Sequence, residues 1–167
     1  MFCLIVPLLV IACGSTASPT PVTTQVKAQT IHGPGFEFET PATWRLGHTL
    51  TSASARSRAV TPATVSAQLY RLGKAYSPSE FAAAAHELDR VAKRLASAAG
   101  GTISRSETTT VAGRQIRAYR FNSSHGQSRL GFLLDRKQEV QLLCQAPAGG
   151  DPDGACALLF ATFRLTG

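Results

Sequence analysis

The sequence predicts an α+β domain: an antiparallel β-sheet of about six or seven strands with covering helices. Three observations lead there. Several segments alternate apolar and polar residues with the period of a half-buried strand. One long segment repeats its apolar residues at helical spacing behind a capping sequence. The connections between neighbouring strand segments are also too short for parallel crossovers, which need a dozen residues or more. The order β-β-β-α-β-β-β-β-α then builds a sandwich of sheet and helices.

Residues 1–12 are set apart from that domain. Phe2 to Ile11 is an uncharged apolar run, too short to span a bilayer and of the size of a signal-peptide core. It closes on Val10-Ile11-Ala12-Cys13, which resembles the lipobox of bacterial lipoproteins: a branched apolar residue, a tolerant position, a small residue and the lipidated cysteine. That resemblance implies cleavage before Cys13 and a diacylglyceryl group on its thiol. No Lys or Arg precedes the run, so either the initiator amine supplies the positive charge or the start lies upstream. Residues 13–32 follow as lipidated cysteine and tether. Their Ser, Thr and Pro content is too polar to offset ordering entropy by burial, which predicts a flexible spacer. The single domain is expected over residues 33–167.

Within it, Phe36-Glu37-Phe38-Glu39 alternates as a strand and stops at Pro41, with Trp44 as a core residue. Residues 49–61 show no apolar period and read as a loop or irregular hairpin. Thr64 to Leu72 forms the next strand, with Val65, Ala67 and Leu69 on one face. Ser77-Pro78-Ser79-Glu80 is a capping box with proline at the first helical position. Phe81, Ala85, Leu88, Ala92, Leu95 and Ala99 then form one stripe, flanked by Ala84, Val91 and Ala98, and Gly100-Gly101 ends the helix. Four strands are expected next, over 102–110, 114–122, 129–135 and 139–146. Their turns are Ala112-Gly113, the His125-Gly126 loop and Arg136-Lys137-Gln138. Asp151 is placed to cap a last helix that carries Ala155, Leu158, Leu159 and Phe163 inward.

The motif Phe36-x-Phe38-x-x-Pro41-x-x-Trp44 resembles the opening of the PsbP-like fold, which includes the LpqN-type lipoproteins of actinobacteria. The Val111-Ala112-Gly113-Arg114 turn and the closing Cys-helix-Phe163-Arg164-Leu165 element are similar too. The resemblance spans residues 34–166. It implies a PsbP-like sandwich and a role in ligand or protein binding without catalysis, and it carries no family-wide site residue onto this chain.

Chemistry is sparse. Cys144 and Cys156 in an exported chain read as a disulfide, since two cysteines with no spaced histidine make a poor metal site. Ser128, beside His125, misses the G-x-S-x-G elbow by one position, and a polar hairpin turn accounts for both. Asp151-Pro152-Asp153-Gly154 lacks the further ligands of a calcium loop. No cofactor is implied, and no aromatic–basic motif points to nucleic acid. The formal net charge of +7 belongs wholly to the segment from Lys27 onward. Arg105, Arg114, Arg117, Arg120 and Arg129 are the residues able to face an anion, although alternation puts Arg117 and Arg120 on opposite sides of a strand. Solvated strand-edge charge is the plainer account of them. The expected function is therefore an extracytoplasmic, membrane-anchored binding or adaptor module for an envelope protein or an amphiphilic or anionic ligand. A structural or assembly lipoprotein and an undetected hydrolase are the alternatives. An apolar pocket with one or two arginines between the helix and the sheet would favour binding.

Overall fold

A computed structural model describes residues 27–150 and 152–166. Cys13, the leader and the cap at Asp151 lie outside the described residues. Two antiparallel sheets are present. The small one has the order β1-β2-β9, from β1 (Ala28–Gly33), β2 (Phe36–Pro41) and β9 (Arg164–Leu165). The large one comprises β3 (Arg45–His48), β4 (Ser52–Arg56), β5 (Thr64–Tyr76), β6 (Thr102–Val111), β7 (Arg114–Ser123) and β8 (Gly126–Ala146), in the order β3-β4-β5-β8-β7-β6.

β8 doubles back on itself. Twenty residues of straight strand would separate its ends by roughly 65 Å. Instead Gly126 lies so close to the other end that a Cβ there would meet the Ala146 carbonyl oxygen at 2.0 Å. The reversal falls at Arg136, whose φ is 52°. The arm before it pairs with β7 and the arm after it with β5, so the hairpin expected at Arg136-Lys137-Gln138 is present.

The two faces of the large sheet carry separate cores. On one face, Val65, Ala67, Ile116, Ala118, Leu133, Val140 and Leu142 pack with Phe36, Phe38 and the inward residues of α2 (Pro152–Thr162), namely Cys156 and Leu159, with Phe163 just beyond. Trp44 packs against this cluster, partly buried. The Cys144–Cys156 disulfide joins α2 to the returning arm of β8 across a separation of 12 residues. Closing such a loop is worth about 3 kcal/mol in the chain-entropy picture. Thr162 adds a polar tie, accepting from the Glu39 amide at 2.8 Å.

The opposite face is covered by α1 (Phe81–Ala98), which packs Leu88, Ala92 and Ala96 against Tyr119, Phe121, Leu130, Phe132 and Leu134. The Ser77 amide donates to the Glu80 carboxylate at 3.0 Å, so the capping box is built, over a 3₁₀ turn at Pro78–Glu80. At the other end the Gly101 amide reaches the Ala96 carbonyl at 2.8 Å and the Gly100 amide the Ser97 carbonyl at 2.9 Å. Gly100 has φ 68°, the left-handed conformation that this closure requires.

Four expectations are corrected. Ala28–Gly33, assigned in part to the tether, is a strand: Ile31 is buried and the backbone pairs with β2 throughout. Residues 49–61 contain β4, whose Ala53 and Ala55 are fully buried beneath β1, small side chains that a search for large apolar residues passes over. The strand from Thr64 runs on to Tyr76. The buried stripe of α1 follows the i+4 row 88, 92, 96, leaving Leu95 39% exposed, because alanines at 92 and 96 let the helix approach the sheet most closely.

Candidate binding cleft

The last part of β5 leaves the ladder. Its register with β8 shifts between Arg71 and Tyr76, and the extra residues include Gly73, a residue that weakens a strand and tolerates a bulge. The chain then turns through the capping box into α1. A cleft of about 410 Å³ opens in this corner. Leu72, Ala75 and Tyr76 of β5, Ala84 and Leu88 of α1 and Leu134 of β8 make its apolar lining. Lys74, Glu80, Glu87 and Glu139 add charge to it. Its size is at the lower end of small-molecule sites, about 300–1,000 Å³.

These charges have local causes. Lys74 pairs with Glu80 at 3.2 Å. The Ser77 amide first, and then Lys74, hold the Glu80 carboxyl below its ordinary range. Burial, then the Glu80 charge, pushes the Tyr76 hydroxyl up against the opposing effect of Arg114, so it stays neutral. Glu87 pairs with Arg90 one turn along the helix.

Behind the cleft, α1 is fastened to the sheet by a polar triad. Asp89 accepts from Tyr119 Oη at 2.7 Å and from Arg117 Nε at 2.9 Å. Partial burial opposes the charged carboxylate, but the Arg117 and Tyr119 hydrogen bonds and the Arg117 and His86 charges outweigh it and hold Asp89 below its ordinary value. Burial, followed by the Asp89 bond and charge, pushes the Tyr119 hydroxyl far up.

The five sequence-predicted arginines divide between the two faces. Arg105, Arg120 and Arg129 are directly opposite one another across β6, β7 and β8, on the α2 side. Glu107 binds Arg105 at 2.8 Å and Arg129 at 3.3 Å, and the Arg129 guanidinium lies 4.3 Å over the Phe160 ring. Arg114 lies at one end of β7 and bonds the buried Asp135 at 3.0 Å. Arg117 faces α1 and holds Asp89. Three neighbours form a row, while Arg114 and Arg117 serve separate carboxylates; none of the five lines the cleft.

The sequence matches no family model and no curated protein. Solved structures do match. Cyanobacterial PsbP (CyanoP) from Synechocystis sp. PCC 6803 superposes with a TM-score of 0.58 at 11% identity, over 91% of this chain and 99% of that one. The chain has a PsbP-like fold. LpqN, involved in cell envelope biogenesis of Mycobacterium tuberculosis, gives 0.56 at 15% identity, covering 84% of this chain and 91% of LpqN. A Bacteroides thetaiotaomicron VPI-5482 protein gives 0.55 at 14% identity, over 81% of this chain and 47% of that protein.

Within this PsbP-like domain the serine-hydrolase alternative finds no support. His125 Nδ1 lies 3.3 Å from Ser124 Oγ, and no hydrogen bond joins His125 to the buried Ser128 among the described residues. No group of three or more His, Cys, Asp or Glu side chains able to hold a metal occurs among them either. Sequence reasoning named an apolar pocket with one or two arginines on the α1 side only as the feature that would favour binding; the cleft found there carries lysine and glutamate and no arginine. Tyr76 and Ala75 were missed because the strand was ended at Leu72; the absence of any turn residue between Lys74 and Ser77 was the available signal.

Proposed function

We propose that this chain is an envelope-anchored, non-catalytic binding module whose cleft between α1 and the sheet takes the apolar part of an amphiphile. The observation that carries this reading is the cleft itself. It is an apolar concavity of about 410 Å³ with polar groups confined to a few positions, the usual build of a ligand site. A structural lipoprotein would be expected to pack that corner solid. The likeness in fold to LpqN, whose described involvement is in cell envelope biogenesis, is consistent with work at the envelope.

Phenylnaphthylamine, an uncharged fluorophore that brightens in apolar surroundings, tests the reading. The full chain is expected to bind it saturably and to release it to decyl maltoside below the micellar concentration. Ala83 is exposed on α1 and lines the cleft, so Ala83→Trp should fill the space without disturbing the core. Loss of about tenfold or more in probe affinity in that variant is the expected result. Unchanged affinity would place the probe elsewhere and remove the basis for the reading.

A further inference from the structure

The charge of the cleft is opposite to that of the chain. The whole sequence carries a formal +7, yet the lining holds three glutamates, Glu80, Glu87 and Glu139, against the single Lys74. Lys74 is committed to Glu80 at 3.2 Å, and Arg90, outside the lining, is committed to Glu87. Glu139 is different. Its hydrogen-bond partner is the neutral Gln141 amide, which donates at 2.7 Å, and no ion pair joins Glu139 to a basic side chain among the described residues. It stands directly opposite Tyr70 across the β5–β8 ladder, and Tyr70 is 39% exposed. Tyr76 lines the same cleft. A carboxylate without a basic partner, opposite Tyr70 on the neighbouring strand and sharing an apolar trough with Tyr76, is a recognition set for an ammonium group: the carboxylate supplies the counter-charge and ring faces attract the cation.

Resting on the cleft as the binding site, we infer that its ligand is an amphiphile with one apolar chain and a cationic ammonium head. The chain lies along Leu72, Ala84, Leu88 and Leu134, and the head sits at Glu139 beside Tyr70 and Tyr76. An anionic amphiphile, the partner suggested by net charge alone, meets three carboxylates there instead. The basic surface elsewhere does not enter this preference.

Displacement of phenylnaphthylamine from the full chain reads the cleft and ignores adsorption to the basic surface. Three displacers with equal chains are compared below their micellar concentrations: decyltrimethylammonium, decyl maltoside and decyl sulfate. An ion pair and a cation–π contact together favour the cation over the neutral compound by about tenfold. The sulfate should be the weakest, and the cationic preference should shrink as salt rises. Glu139→Gln should bring cation and maltoside within about twofold of each other, chiefly by weakening the cation. Equal affinities for cation and maltoside in the native chain, or tightest binding of the sulfate, overturns the ammonium assignment and leaves the cleft standing. Failure of all three to displace the probe overturns the cleft reading and this inference with it.

Discussion

Asp89→Ala is expected to destabilise the domain by about 2 kcal/mol, lowering Tm by roughly 6 °C. Asp89 receives a charged bond from Arg117 and a short bond from Tyr119, both reaching from β7 to α1. Charge-assisted bonds are worth about 1.5–3 kcal/mol each when buried, and the 35% exposure of Asp89 reduces that through solvent screening. Asp89→Ala also leaves Arg117 at 20% exposure with Ser106 and Thr108 as its remaining neutral partners. The pH dependence has a definite sign. The folded pKa of Asp89 lies below its unfolded value, so its stabilisation is fully present above the unfolded value, near pH 4, and is lost as pH falls through the folded one. Urea midpoints of native and Asp89→Asn chains should therefore differ at pH 7 and converge once pH has fallen through the folded value of Asp89. A gap that stays constant through that fall would show that the carboxylate charge contributes nothing.

Cys13→Ala is expected to abolish lipidation and leave the chain unprocessed or released. The apolar run of residues 2–11 is short, the residue before Cys13 is small, and the Cys13 thiol stands where the lipobox resemblance expects the diacylglyceryl chain. Each buried methylene of such an anchor adds about 0.8 kcal/mol of membrane affinity, so removing two acyl chains leaves no comparable attachment. No helix among the described residues is long and apolar enough to cross a membrane in its place. Fractionation with labelled fatty acid should show acylated, membrane-bound native chain and an unlabelled variant that is unprocessed or released. A variant that stays in the membrane without label would contradict the anchor.

How much of this was legible depended on side-chain size. Phe36, Phe38 and the residues around Cys144 announce themselves by alternation of large apolar groups, and the capping box announces α1. β1 and β4 do not. One is held by a single large residue, Ile31, and by backbone bonds to β2; the other alternates Ser with Ala, and alanine becomes a core residue only where another layer closes over it. The cysteine pair could be read because, in a chain expected to be exported, two thiols near one end have few other fates. The cleft could not. It is made by a departure from regular pairing in β5, and its residues come from Leu72, Leu88 and Leu134, which no local pattern brings together. The arginines show the same limit. Alternation correctly separates Arg117 from Arg120, whereas the row of Arg105, Arg120 and Arg129 depends on the register of three strands.

The most direct measurement of the central claim is a methyl-resonance titration of the full chain with decyl maltoside. Methyl groups of Leu72, Leu88 and Leu134 should shift together and saturate, because they line the cleft. Those of Val140, Leu142 and Leu159, buried on the other face with α2, should stay in place. Ala83→Trp should suppress the first set of shifts. Shifts confined to the α2 face, or cleft shifts that persist undiminished in Ala83→Trp, would contradict a binding site between α1 and the sheet.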